Sequence, residues 1–131
     1  MKIPILRLGN ILLASIQVDL TDQDALEFQS DMLRMVTETD ASGVVIDITA
    51  LDVVDSFLAQ TFNDIATMVQ LLGAEVVLCG MQPAVAVTLV EMGRQLVGVE
   101  TALNLDRGME KINLRLKARQ GSAPKEDRDD G

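Results

Sequence analysis

No histidine occurs anywhere in the 131 residues. That removes Ser-His and Cys-His nucleophile pairs, and with them every histidine-ligated metal site. No glycine-rich phosphate cradle follows any apolar run, so the chain lacks both the P-loop and the dinucleotide fingerprint. Tryptophan and tyrosine are absent and phenylalanine occurs three times. The core is therefore built from Leu, Ile, Val, Ala and Met, and the seven methionines serve either core filling or an adaptable contact surface. A single cysteine, Cys79, closes no internal disulfide and points to a reducing compartment, the cytoplasm. It ends the apolar run "EVVLC" and reads as a small buried hydrophobe, not a nucleophile. No apolar stretch is long enough to span a membrane. The opening "MKIPILRLGNILLASIQ" is broken by Pro4 and Gly9-Asn10, unlike a secretory signal. Positive charge is scarce: 11 Lys and Arg stand against 20 Asp and Glu, a formal net charge of -9. Nucleic acid and anionic membrane surfaces are disfavoured as partners, and a basic protein face is favoured.

What remains is strong patterning. "IPILRL" and "ILLASIQV" flank the turn pair Gly9-Asn10 and read as a β-hairpin over about residues 3–18. The period then changes. Ala25, Phe28, Met32 and Met35 recur at helical spacing behind Thr21 or Asp22 as cap, predicting a helix over 22–39. "DASG" closes it, with Gly43 expected in the turn. "VVIDI" (44–48) and "EVVLCG" (75–80) are short β-branched runs typical of doubly buried strands. Between them Leu58, Phe62, Ile65, Val69 and Leu72 mark one face of a helix over 56–72, with Gly73 after its end. A further helix starts at Pro83, with Ala86, Leu89, Val90, Gly93 and Val97 as its apolar face. An extended piece, "VETALN", precedes a last helix that carries Met109, Ile112 and Leu116 on one side. From residue 118 the chain is charged and lacks apolar anchors, so a disordered acidic tail over 118–131 follows an ordered domain over 1–117.

Strands alternating with helices predict an α/β domain with a mixed, mostly parallel sheet of four to five strands and about four helices. With so few helices the set can lie on one face, leaving the other for a second protomer or a partner.

Polar residues gather in "DITALDVVDSFLAQTF" (47–62), just after a buried strand. Asp47 stands where a receiver-type phosphoacceptor would, but no lysine ends the following strand and the acidic partners after the first strand are misplaced. Asp52 and Asp55 read as loop and cap residues. Ser56 lies beside Asp55 at a helix start, where Asp and Ser both serve as caps. The same position, with its free amides and positive dipole end, also suits a phosphate. No catalytic residue, metal ligand or cofactor is assigned, and the chain reads as a non-enzyme.

"VVIDITALDVVDSFLAQTF" followed by "GAEVVLCGMQPAVAVTLVEMG" resembles the STAS domain of bacterial anti-sigma-factor antagonists, whose mark is the Asp-Ser pair, here Asp55-Ser56. "KIPILRLGNILLASIQ" and "MQPAVAVTLVEMG" are similar in particular to the RsbS-type proteins of the stressosome. The resemblance covers residues 2–117 and implies the STAS fold. It implies a scaffold that self-associates in a large complex with RsbR-type STAS paralogues and sequesters an RsbT-type switch kinase. The kinase phosphorylates Ser56 and is released, and an RsbX-type phosphatase reverses the mark. Asp52, Asp55 and Phe57 are then the partner-recognition residues. Thr88 is the nearest match to a second phosphorylatable threonine of the RsbR-type relatives, although a plain helix-interior role suits it better. The family leaves another wiring open, a free antagonist that binds an anti-sigma factor directly.

Overall fold

The computed structural model describes residues 2–93 and 99–128, with side chains as far as residue 120. Strand β1 (Ile5–Leu8) turns through Gly9 into β2 (Ile11–Ser15), and the two pair antiparallel. Gly9 holds a φ of 64°, the left-handed value that tight hairpin turns require. Helix α1 (Asp22–Thr39) leads to β3 (Gly43–Asp47), α2 (Ser56–Leu71) to β4 (Glu75–Cys79), and α3 (Pro83–Glu91) precedes β5 (Glu100–Ala102). Helix α4 (Leu105–Arg128) follows. The sheet runs β1-β2-β3-β4-β5, with β2 to β5 parallel.

This order explains where the helices lie. Each parallel crossover steps the same way along the sheet, and right-handed crossovers then put α1, α2 and α3 on one face. The strand period of two sends Leu12, Ala14, Ile16, Val44, Ile46, Ile48, Val76 and Leu78 to that face, where they join Phe28, Met32, Ile65, Val69, Val85 and Leu89 in one core. Alternate residues Ile11, Val45, Val77 and Cys79 point the other way and meet Ile112 and Leu116 of α4. The expectation of helices on one face thus holds for the crossovers and is corrected by α4, which covers the second face over β3 to β5. The β1 flank of that face stays open, with Leu6 and Leu8 exposed.

Both predicted caps of α1 resolve to one. Thr21 is the N-cap, and its hydroxyl accepts the Asp24 amide at 3.0 Å while Asp24 accepts the Thr21 amide at 3.1 Å, a reciprocal capping box. At the other end the turn is made by Asp40, at a φ of 55°, and not by Gly43. Gly43 is the first residue of β3, and it is small for a packing reason: a Cβ there would lie 2.8 Å from Ile112 Cγ1.

Two further expectations are revised. In α3 the buried residues are Val85 and Leu89, while Val90 is 77% exposed and Gly93 is exposed as well. The helix ends at Glu91, two residues after Leu89, so its inward stripe is only two residues long and Val90 falls outside it; Val97 lies outside the described residues. Helix α4 continues through Arg128, past the boundary expected at residue 117. Its docked part includes Arg119, which donates to the Gly73 carbonyl at 3.0 Å and pairs with Glu75 at 3.6 Å. Arg115 adds a 2.9 Å pair to Glu75, and Lys111 pairs with Glu100 at 3.5 Å, so cationic residues of α4 strap it to β4 and β5.

Candidate functional site

In an open parallel sheet the loops after the strand C-termini collect at one end, the usual location of binding sites. Here that end gathers the segments after β2, β3 and β4. The segment after β3 carries the polar residues singled out in the sequence. Its apolar residues alternate with them in a helix-like rhythm: Leu51, Val54 and Leu58 are buried, while Asp52, Val53, Asp55, Ser56 and Phe57 are exposed. The buried three pin the segment to the core and hold the other five out of it.

Asp55 is the N-cap of α2. Its Oδ1 accepts the Leu58 amide at 2.8 Å, which satisfies one of the helix's free N–H groups. Ser56 is the first helical residue and is exposed, so its hydroxyl stands at the positive end of the helix without serving as the cap. Val53 and Phe57 flank it as exposed apolar residues, at 67% and 38%. Asp52 is an exposed loop residue. The structure therefore brings Asp52, Asp55, Ser56 and Phe57 together on one short stretch of surface. Thr88 is placed elsewhere, in the middle of α3, where its hydroxyl donates to the Ala84 carbonyl at 2.9 Å. That bond is the ordinary back-bond of a helical threonine.

Sequence reasoning missed Asp19 and Leu20. They follow β2, and together with Val53, Asp55 and Leu58 they line a cleft of about 200 Å³ beside Ser56. The parallel pairing of β2 with β3, seen in the structure, fixes both loops at the same end. Asp47 ends β3, and its Oδ1 accepts both the backbone N and the hydroxyl of Thr49, so it organises the start of the segment. Cys79, at the end of β4, is fully buried under Gly108 of α4. Its thiol is pushed up to about 12, first by burial and then by the negative charge of Asp47, which makes it inert as a nucleophile at neutral pH. Among the described residues no cluster of three or more acidic or cysteine side chains could hold a metal. Among them, too, no helix is long and apolar enough to cross a membrane.

The surface thus presents a serine on a helix terminus, framed by the carboxylates of Asp52 and Asp55 and by two apolar side chains. Such a surface can receive a group or a partner. Comparison with known proteins agrees with this architecture. A serine-to-glutamate variant of RsbS from Moorella thermoacetica superposes with a TM-score of 0.78 at 40% identity, covering 88% of this chain and 97% of that one. A chain from the molecular architecture of the stressosome, described as a signal integration and transduction hub, superposes with a TM-score of 0.75 at 42% identity, over 86% and 98%. The RsbT co-antagonist protein RsbRA of Bacillus subtilis is 33% identical over 86 residues, which are 66% of this chain and 31% of RsbRA, so the match spans about a third of that protein. The STAS domain family matches residues 2–106. By its fold, its sequence and its relatives, the chain belongs to the STAS domain family and is an RsbS-like member of it.

Proposed function

We propose that the chain is a non-catalytic component of a stressosome-type assembly. It sequesters an RsbT-type serine/threonine kinase and lets it go once Ser56 is phosphorylated. The observation that carries this reading is the position of Ser56: exposed, on the first turn of α2, with the cap already supplied by Asp55. A phosphate there lies on an exposed position at the helix start. It would add about -1.5 to -2 of charge. The fold tolerates that charge at a helix N-terminus. A partner seated over Asp52, Asp55 and Phe57 would meet it at the centre of its contact. That a serine-to-glutamate variant of RsbS from Moorella thermoacetica has been solved in the same fold is in keeping with this reading.

RsbR-type paralogues are the expected co-scaffold, and an RsbX-type phosphatase is the expected eraser. The test uses the full chain, the cognate kinase and ATP, with mass spectrometry of the peptide that contains Ser56. One phosphate on Ser56 is the expected result. The Ser56→Ala variant should hold the kinase in the presence of ATP, and Ser56→Asp should fail to hold it. Equal kinase binding by both variants would refute charge at Ser56 as the switch. Size-exclusion chromatography with an RsbR-type paralogue should give a very large co-complex. A small complex with an anti-sigma factor instead would favour the free antagonist.

A further inference from the structure

Helix α3 does not use its own cap. Gln82 occupies the N-cap position with extended backbone, yet its side chain makes no bond to the first turn of α3. Asn, Asp, Ser and Thr are the residues that cap well; Gln is longer. Here the extra length is used elsewhere. Gln82 Nε2 donates to the Thr49 carbonyl at 2.7 Å, across 33 residues of sequence.

Thr49 opens the segment that ends on Ser56, and it is gripped from three sides. Its backbone N donates to Asp47 Oδ1 at 3.0 Å, and its hydroxyl donates to the same oxygen. Its carbonyl takes the Gln82 bond. Gly80, at a φ of 81°, closes against it so tightly that a Cβ would fall 2.1 Å from Thr49 Oγ1. Further along, the segment is held by the buried side chains of Leu51 and Val54 and by the Asp55 cap. The Gln82 bond is the polar restraint that comes from the N-cap of α3, so it sets the segment against the next helix.

We infer that Gln82 is a positioning residue for Ser56. Its carboxamide forgoes the cap of α3 and ties the start of the Ser56 segment to that helix, so that the serine is offered to the kinase in one geometry. This inference rests on the reading of Ser56 as the phosphate acceptor.

The decisive variant is Gln82→Ser. It supplies a good cap to α3 and removes the tie, so a merely structural role and a positioning role predict opposite outcomes. Gln82→Ala removes the tie and supplies no cap, and Gln82→Lys keeps an N–H donor of similar reach. Two readouts are taken on the full chain: amide hydrogen exchange across residues 49–57, and single-turnover phosphorylation of Ser56 with kinase in excess. Loss of one net hydrogen bond should speed exchange in that segment by roughly fivefold in Gln82→Ser. Melting temperature should stay at the wild-type value or rise. The phosphorylation rate at saturating kinase should fall by a similar factor with the kinase Kd unchanged, and Gln82→Lys should restore both readouts.

Wild-type exchange in Gln82→Ser would overturn the tie. So would a wild-type phosphorylation rate in Gln82→Ser despite faster exchange, because the positioning would then have no effect on the serine. Effects that follow the melting temperature across all three variants would assign Gln82 a structural role only, against the proposal. If wild-type Ser56 accepts no phosphate while exchange responds as described, the functional reading fails and the tie itself stands.

Discussion

Replacing Gly80 by alanine should damage the region around the site more than a glycine change in the middle of the second core. Gly80 has a φ of 81°, where an L side chain costs about 1–2 kcal/mol. The new Cβ would also sit 2.1 Å from Thr49 Oγ1 and 2.8 Å from Asp47 Oδ1. Thr49 has to move, and its exposed bonds to Asp47 weaken by about 1 kcal/mol. Against this, alanine lowers the entropy of the unfolded chain and returns about 0.4–1 kcal/mol. The net loss is about 2 kcal/mol, a sizeable share of the roughly 5–15 kcal/mol that holds a domain together. The control is Gly43→Ala. Its Cβ would meet Ile112 Cγ1 at 2.8 Å, but φ is ordinary there and the obstacle is a side chain that can shift. That variant should lose about 1 kcal/mol, the lower end of overpacking costs. Urea denaturation followed by circular dichroism compares the two at constant m. A Gly80→Ala midpoint equal to or above that of Gly43→Ala would refute the account of the β3–β4 end as a tight polar clamp.

The remaining predictions are simpler. Asp55→Ala removes the cap of α2 and should cost about 1 kcal/mol in the same denaturation assay, with Asp55→Asn recovering most of it. Ile112→Ala empties a fully buried site under α4 and should cost about 2–5 kcal/mol. Cys79 should resist iodoacetamide at pH 8 in the folded protein and react on adding urea. Its folded pKa is raised to about 12, so the stability it contributes is full below the unfolded thiol pKa and is lost as pH climbs from there towards 12. Melting curves across that alkaline range should fall more steeply for the wild type than for Cys79→Ala. Thr88→Ala should leave Ser56 phosphorylation by the kinase at the wild-type rate, because its hydroxyl is committed to the Ala84 carbonyl.

Periodicity carried much of this fold. The helix over 22–39, the two buried strands and the hairpin turn stand where apolar spacing and Gly9-Asn10 put them, because each of those signals is local. Gly43 was misread for the opposite reason. Its smallness answers to Ile112, 69 positions away by numbering, and nothing in its own neighbourhood distinguishes that from a turn glycine. The facing of α4 was equally hidden. Its stripe of Met109, Ile112 and Leu116 is plain in the sequence, but which face of the sheet receives it depends on the handedness of three earlier crossovers. At the site, Asp55 and Ser56 stand at the helix start where the sequence put them, while the exposure of Asp52, Asp55, Ser56 and Phe57 between buried Leu51, Val54 and Leu58 is seen in the structure. The approach of Asp19 and Leu20, and the diversion of Gln82 onto Thr49, needed the parallel register of the strands.

The covering of the second sheet face by the last helix sets an order in time. A ribosome delivers the sheet and its three crossover helices first, and that layer has all the partners it needs before α4 emerges. Until then Val45, Val77 and Cys79 face water. The same thiol that is inert in the finished domain is an ordinary exposed cysteine on the nascent chain. Closure of α4 over it comes after the sheet has been made, and a labelled Cys79 would report any chain on which that closure was missed.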